Sequence, residues 1–247
     1  MSSRFFENLT EATEEIRRDL AKGIRIDFTR VQQRTGEHLP GRERTGYEYT
    51  VLNGIPTDPE ELIFFGQTHG FPLYQTKPDR DAMAEWLFLE TNQRLWPMSY
   101  NPNDPALEKL HPALRSTLEG NWPSYLYRER MVGAVEMMAK TLAGSSDTRR
   151  AYWPIFQPVD SFRASAPTRI PCSLGYQLML RQQNNRVLLL MTYLQRSADF
   201  DHFWLSDVFL AHQFQLRVSA QLNVECGSFT HYILSFHSFK VEGSEIY

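Results

Sequence analysis

The sequence predicts a mixed fold of the α+β class, and three observations carry that prediction. Leu205 to Leu222 reads as a long, largely buried helix. Two β-rich runs, 175–182 and 186–196, flank Asn184-Asn185, a dipeptide suited to a tight hairpin. A last run, Ser228 to Phe239, alternates Phe229, His231, Ile233, Ser235, His237 and Phe239 on one face, as a strand does. With 247 residues, 42% of them hydrophobic and 13% aromatic, the chain can bury a sizeable core. No Ser/Gly-rich linker divides it, so one domain spanning 1–247 is expected.

The elements follow in chain order. Asn8 to Lys22 carries Leu9, Ala12, Ile16 and Leu20 at helical spacing and stops at Gly23. Residues 33–48 are polar and contain Arg-Thr-Gly at Arg34 and at Arg44, a pattern that reads either as a mobile loop closing on an anion or as a plain solvated loop. Gly70 to Lys77 leads into a helix whose face includes Ala82, Glu85, Trp86 and Leu89; Glu85 is either a surface acid or a carboxylate tuned for proton transfer. The stretch from Trp96 to Pro123 is rich in Pro and Asn and predicts an irregular excursion with one short helix near 106–118. An amphipathic helix is expected over Arg130 to Leu142, ending at Gly144-Ser-Ser-Asp-Thr, and Arg149-Arg150 precede an apolar strand over Ala151 to Phe156. Twin arginines there are solvated or suit bidentate phosphate recognition.

Composition removes several function classes. A formal net charge of −3 gives no global basic field, so no stable nucleic-acid partner is expected and any anion site is local. Two cysteines, Cys172 and Cys226, form no CxxC pair and suit a reducing compartment. The N-terminus lacks an apolar signal region and no run reaches the ~18 residues of a membrane span, so a cytoplasmic location and no membrane association are expected. Seven histidines show no metal-ligand spacing, so no metal is expected, and neither GxGxxG nor GxxxxGK[ST] occurs. Cys172, between Pro171 and Ser173, is either a small core residue or a nucleophile activated by arginines among Arg44, Arg149, Arg150, Arg169 and Arg196.

From Pro171-Cys172 and Gln177, through Tyr193-Leu-Gln-Arg196-Ser197-Ala-Asp199, to Gly227-Ser-Phe-Thr-His231 and His237, the chain resembles the thymidylate synthase and deoxycytidylate hydroxymethylase family. Earlier motifs fall in the same order: Arg44-Thr-Gly, Gly70-Phe-Pro-Leu with Thr76-Lys77, Glu85, Pro123-Ser-Tyr125 and Asp147-Thr-Arg149-Arg150. The resemblance runs from about residue 40 to the end. It implies a large twisted mixed sheet flanked by helices, with the sheet forming the interface of a homodimer whose active sites are shared. Arg149 and Arg150 would reach the phosphate of a nucleoside monophosphate in the partner's site, joined there by Arg44, Arg196 and Ser197. Gln177 would belong to the substrate site, and His237 would contact the sugar. Asp199, Phe203 and Lys77 would lie along the co-substrate, 5,10-methylenetetrahydrofolate. Cys172 would add to carbon 6 of the pyrimidine, with Glu85 and Tyr125 assisting proton removal from carbon 5.

Departures within the resemblance set the product. Eleven residues after Arg196 the synthases carry an asparagine that reads uracil, and here the position is Asp207. A carboxylate accepts from a cytosine amino group and faces a uracil O4 acceptor to acceptor, unless Asp207 merely caps its helix. Ser173 stands for a histidine, Phe203 for a glycine, Ser235 for an aspartate and Phe239 for a tyrosine. The chain runs ten residues past His237, which implies a less sealed site that admits water. The resemblance therefore leans to dCMP hydroxymethylation, of the kind phages use for modified DNA precursors in the host cytoplasm. A dCMP methylase, a CMP-specific hydroxymethylase and a catalytically silent nucleotide- or RNA-binding member are the alternatives.

Overall fold

The structure, a computed structural model, describes residues 4–29, 38–95, 127–163 and 170–239. Arg34, the 97–122 excursion, Tyr125 and Arg169 lie outside them. Strand β1 (Arg4–Asn8) passes directly into helix α1 (Leu9–Ala21), because Asn8 is extended and its side chain accepts from the Glu11 N–H, filling one of the donors a helix start leaves open. Leu9, Ala12, Ile16 and Leu20 of α1 are buried, at the expected spacing. Strands β2 (Ile24–Thr29) and β3 (His38–Asn53) follow, then α2 (Pro59–Thr68), capped by Asp58 and opened by Pro59, and α3 (Lys77–Leu95). Next come α4 (Tyr127–Met131), α5 (Ala134–Gly144), the short β4 (Tyr152–Pro154) and α6 (Pro158–Arg163). The chain then forms β5 (Ser173–Gln183), β6 (Arg186–Asp199), α7 (Trp204–Leu222) and β7 (Glu225–Ser238).

The strands form one mixed sheet in the order β1-β3-β7-β6-β5-β4, with β2 beside β3. β1 pairs with β3, and β6 with β7, in parallel; the other pairs are antiparallel. Helices α1, α5 and α7 pack on the sheet. One face buries Tyr49, Phe229, His231, Met191, Tyr193 and Leu178, while Met179, Leu190, Leu194, Tyr232 and Leu234 point the other way and stay partly exposed. Asn184 and Asn185, at φ 50° and 62°, make the expected two-residue hairpin in the left-handed conformation asparagine tolerates. Among the described residues no helix is long and apolar enough to cross a membrane.

Four local expectations are corrected. The polar stretch expected as a loop over 33–48 is strand from His38 onward; β3 is paired along both edges, and its arginines are satisfied by backbone carbonyls, Arg42 on Gly23 at 3.1 Å and Arg44 on Asp19 at 3.0 Å. The helix expected over Arg130 to Leu142 is two helices, because Gly133 turns left-handed (φ 74°) between α4 and α5. The strand expected over Ala151 to Phe156 shrinks to Tyr152–Pro154. The single alternating face of β7 breaks where Gly46 (φ 60°) falls between its pairings Thr45–Ser235 and Tyr47–Ile233; Phe236, rather than Ser235, then packs on Tyr47 (5.4 Å) and Phe200 (5.9 Å).

Candidate active site

Cys172 lies at the mouth of β5, where the pairing with β6 is irregular between Ser173 and Gly175. The Arg196 N–H donates to the Cys172 carbonyl at 2.6 Å, and its guanidinium lies 3.9 Å from Sγ and 3.4 Å from the Pro171 oxygen. The thiol is half-buried against that guanidinium. The other cysteine differs: Cys226 donates to Ser219 at 3.2 Å, and burial pushes its thiol pKa up.

Asp207 sits in the first turn of α7, its N–H on the Phe203 carbonyl at 2.9 Å. Gln195 Nε2 donates to its Oδ2 at 2.7 Å. Behind Gln195 runs a buried chain: Gln195 Oε1 lies 2.8 Å from His231 Nε2, His231 Nδ1 lies 2.9 Å from the Tyr49 hydroxyl, and Trp204 Nε1 donates to that hydroxyl at 2.9 Å. Burial lowers the His231 pKa to about 3, so the imidazole is neutral. Tyr193 stacks on His231 at 4.6 Å and its hydroxyl meets Ser173 Oγ at 2.6 Å; Ser173 also meets Tyr127 at 2.8 Å. The Tyr127 phenol is raised by burial, opposed by the Arg94 guanidinium 3.7 Å from its ring, and feels the charges of both Asp207 and Cys172. Cys172, Arg196 and Asp207 are thus neighbours of one buried network.

Ser197, Asp199 and His237 lie at the C-terminal ends of the parallel pair β6 and β7, the end at which ligands bind in sheets with parallel strands. Ser197 faces Ser235 in the register, and Asp199 faces His237, which is opposite Glu43 on its other side. Burial lowers the His237 pKa, while Asp199, Glu43 and Asp201 pull it upward. Asp199 accepts from the His202 ring at 2.8 Å and from the N–H groups of Asp201 and His202. Phe203 meets Trp86 at 6.3 Å, which brings α3 and half-buried Glu85 to the start of α7.

Other expected site residues stand apart. Arg149 and Arg150 are exposed ahead of β4, and Gln177 uses its amide to hold the carbonyls of Arg149 (3.2 Å) and Ala151 (3.1 Å). Lys77 is exposed and paired with Asp81 at 2.6 Å. Arg44 lies on β3, bonded to the Asp19 carbonyl. Among the described residues no group of three or more His, Cys, Asp or Glu side chains could hold a metal ion. Tyr49, Trp204, Tyr127 and Arg94 were not expected at the site; Tyr49 carried a faint signal, alternating with Tyr47 and Val51 as strand residues do.

No protein-family model matches the chain, and no curated protein matches its sequence. Its backbone is similar to that of a solved structure, thermostable thymidylate synthase A from Bacillus subtilis, with a TM-score of 0.65 at 13% identity over 94% of this chain and 79% of that one. The chain has a thymidylate synthase fold. The large mixed sheet with flanking helices expected from the resemblance is therefore shown. Within the thymidylate synthase fold, Cys172 lies immediately before β5, β6 carries Arg196 to Asp199, and α7 brings Asp207 to the same end of the sheet.

Proposed function

We propose that the protein is a folate-dependent one-carbon transferase that acts at carbon 5 of a pyrimidine nucleoside monophosphate, with dCMP as substrate and 5-hydroxymethyl-dCMP as product. One observation carries the choice of base: Asp207 is held as a hydrogen-bond acceptor by Gln195, which suits the amino group of cytosine. Cys172 beside Arg196 supplies the nucleophile. Its thiolate adds to carbon 6, and carbon 5 becomes electron-rich. Carbon 5 then bonds to the transferred carbon and its proton leaves toward Glu85 and Tyr125, directly or through water; the bond from that carbon to the folate nitrogen breaks, and tetrahydrofolate departs to leave an exocyclic methylene. Water adds to the exocyclic carbon, giving the hydroxymethyl group, and Cys172 is released.

5,10-Methylenetetrahydrofolate would supply the carbon at the oxidation level of formaldehyde. Asp199, whose carbonyl accepts from the Phe203 N–H, and Phe203, whose ring meets Trp86, would hold the N–H edge and flat face of a reduced pterin. Arg196 and Ser197 support a phosphate and His237 a sugar hydroxyl, with Gln177 holding the backbone of the Arg149 segment; for Arg44 to join the phosphate, its side chain would have to leave the Asp19 carbonyl. The partly exposed sheet face, rich in Leu, Met and Thr, supports a homodimer in which Arg149 and Arg150 serve the partner's phosphate site. We also propose that residues 1–247 act as one domain and that the enzyme works in the cytoplasm.

The test is incubation of dCMP, CMP and dUMP, tritiated at carbon 5, with the folate, followed by product mass. Tritium release from dCMP and a hydroxymethyl mass are expected. A methyl product with dihydrofolate absorbance assigns the methylase instead, and exchange with dUMP alone refutes the reading of Asp207. Cys172→Ala is expected to lower turnover about a thousandfold or more while nucleotide binding stays measurable.

A further inference from the structure

The buried chain behind Asp207 has a direction that its own chemistry fixes. Trp204 Nε1 can only donate, so the Tyr49 oxygen, 2.9 Å away, accepts. The single Tyr49 proton then serves its other partner, His231 Nδ1 at 2.9 Å. A neutral imidazole that accepts at Nδ1 carries its proton on Nε2, which donates to Gln195 Oε1 at 2.8 Å. That assigns the Gln195 amide: its oxygen faces His231 and its nitrogen faces Asp207 Oδ2 at 2.7 Å. Every donor points toward Asp207. Reversal would make the Tyr49 oxygen accept from both neighbours and strand its buried proton without an acceptor.

All four relay side chains are wholly buried: Trp204, Tyr49, His231 and Gln195 are each 0% exposed. Tyr193 stacks on the imidazole at 4.6 Å with an interplanar angle of 19°, and Phe229 meets its edge, so the ring is held in place. A buried polar chain of this kind is costly when half-satisfied, which makes its direction rigid.

We propose that Trp204, Tyr49, His231 and Gln195 form a one-way donor relay that keeps Asp207 an acceptor, and that these four positioning residues thereby set the preference for a base presenting an amino group. The inference rests on the reading of Asp207 as the base-selecting residue. Tyr49→Phe removes the proton that obliges His231 to accept at Nδ1. The imidazole can then carry its proton on Nδ1 and the Gln195 amide can turn its oxygen to Asp207, which withdraws the donor that holds the carboxylate as an acceptor toward the base. Trp204→Phe removes the anchoring donor and frees the same reversal.

Two measurements test this. Nitrogen-15 NMR of the imidazoles in the ligand-free protein is expected to show His231 protonated on Nε2 alone; protonation on Nδ1, or an imidazolium at neutral pH, overturns the relay whatever the enzyme's substrate is. The ratio of kcat/KM for dCMP over dUMP, read from tritium release, is expected to fall tenfold or more in Tyr49→Phe and in Trp204→Phe, with Asp207→Asn marking the limit. Equal losses on both nucleotides, leaving the ratio unchanged, show a merely structural role and overturn the proposal. If wild-type protein shows the Nε2 tautomer but acts on neither nucleotide, the function reading fails and the relay's role in selection falls with it. Should Tyr49→Phe not fold, Trp204→Phe carries the same ratio test.

Discussion

Asp207 and His231 each carry a prediction that a single substitution tests. Replacing Asp207 by Asn substitutes an amide, able to donate, for an acceptor-only group. Discrimination between bases is expected to shift from dCMP toward dUMP by about 1–3 kcal/mol, on the scale of one mispaired buried polar group, read as the ratio of kcat/KM values. His231 makes a separate prediction about stability. Its folded pKa of about 3 lies below an unfolded value of about 6.5, so the unfolded chain binds the extra proton between the two. The stabilisation is fully present above pH 6.5 and is lost as pH falls toward 3, by about 1.4 kcal/mol per pH unit from this group. Urea unfolding at pH 7, 6 and 5 checks it: His231→Gln is expected to be less steep than wild type. A slope unchanged by that substitution removes His231 from the acid response. His212 and His237, whose pKa values burial also lowers, add slopes of the same sign and remain in the variant.

At the scale of elements, the buried pair Arg130–Asp160 ties α4 to α6. Arg130 donates from both guanidinium nitrogens to the Asp160 carboxylate, at 2.6 and 2.7 Å, and also to the Ile155 carbonyl; its own carbonyl accepts from Trp153 Nε1. Asp160→Ala leaves a guanidinium buried without its carboxylate and is expected to cost about 3–5 kcal/mol of unfolding free energy in a urea titration. A cost under 1 kcal/mol, typical of an exposed pair, refutes that role. Elements were legible in the sequence where one local signal dominates. Asn8 opens α1, the Asn184-Asn185 dipeptide makes the hairpin, and the apolar run after Trp204 makes α7. β3 was not legible, because Arg42, Glu43, Arg44 and Thr45 look solvated until two neighbouring strands and the carbonyls of Gly23 and Asp19 are in place. The relay was least legible of all. Tyr49 and His231 are 182 residues apart and His231 and Gln195 36 apart, and only strand register brings them together. Motif order alone proposed Cys172, Arg196 and Asp207 as site residues, whereas the side chains that hold Asp207 carry no local pattern.

At the scale of the molecule, the sheet leaves one face of Leu, Met and Thr partly exposed, and the paired arginines stand exposed just before the outer strand β4, away from Arg196 on β6. Leu234 is 44% exposed and Leu52 44%. In the proposed homodimer a second copy of the chain would bury this face, and Arg149 and Arg150 would reach the partner's site. Complementation separates this arrangement from one in which the arginines serve their own subunit. Cys172→Ala lacks the nucleophile, and Arg149→Ala/Arg150→Ala lacks the proposed phosphate contacts, so each variant alone is expected to be nearly inactive. After the two are mixed and re-equilibrated, a mixed dimer has one site with an intact Cys172 and intact partner arginines. Random pairing makes half the dimers mixed with one working site in each, so activity returns to about a quarter of wild type if the sites are shared. If the arginines act within their own chain, no site in any dimer is complete and the mixture stays silent. Sedimentation of the mixture, run alongside, shows whether dimers formed, so silence in a dimeric sample counts against shared sites and a monomeric sample against the interface itself.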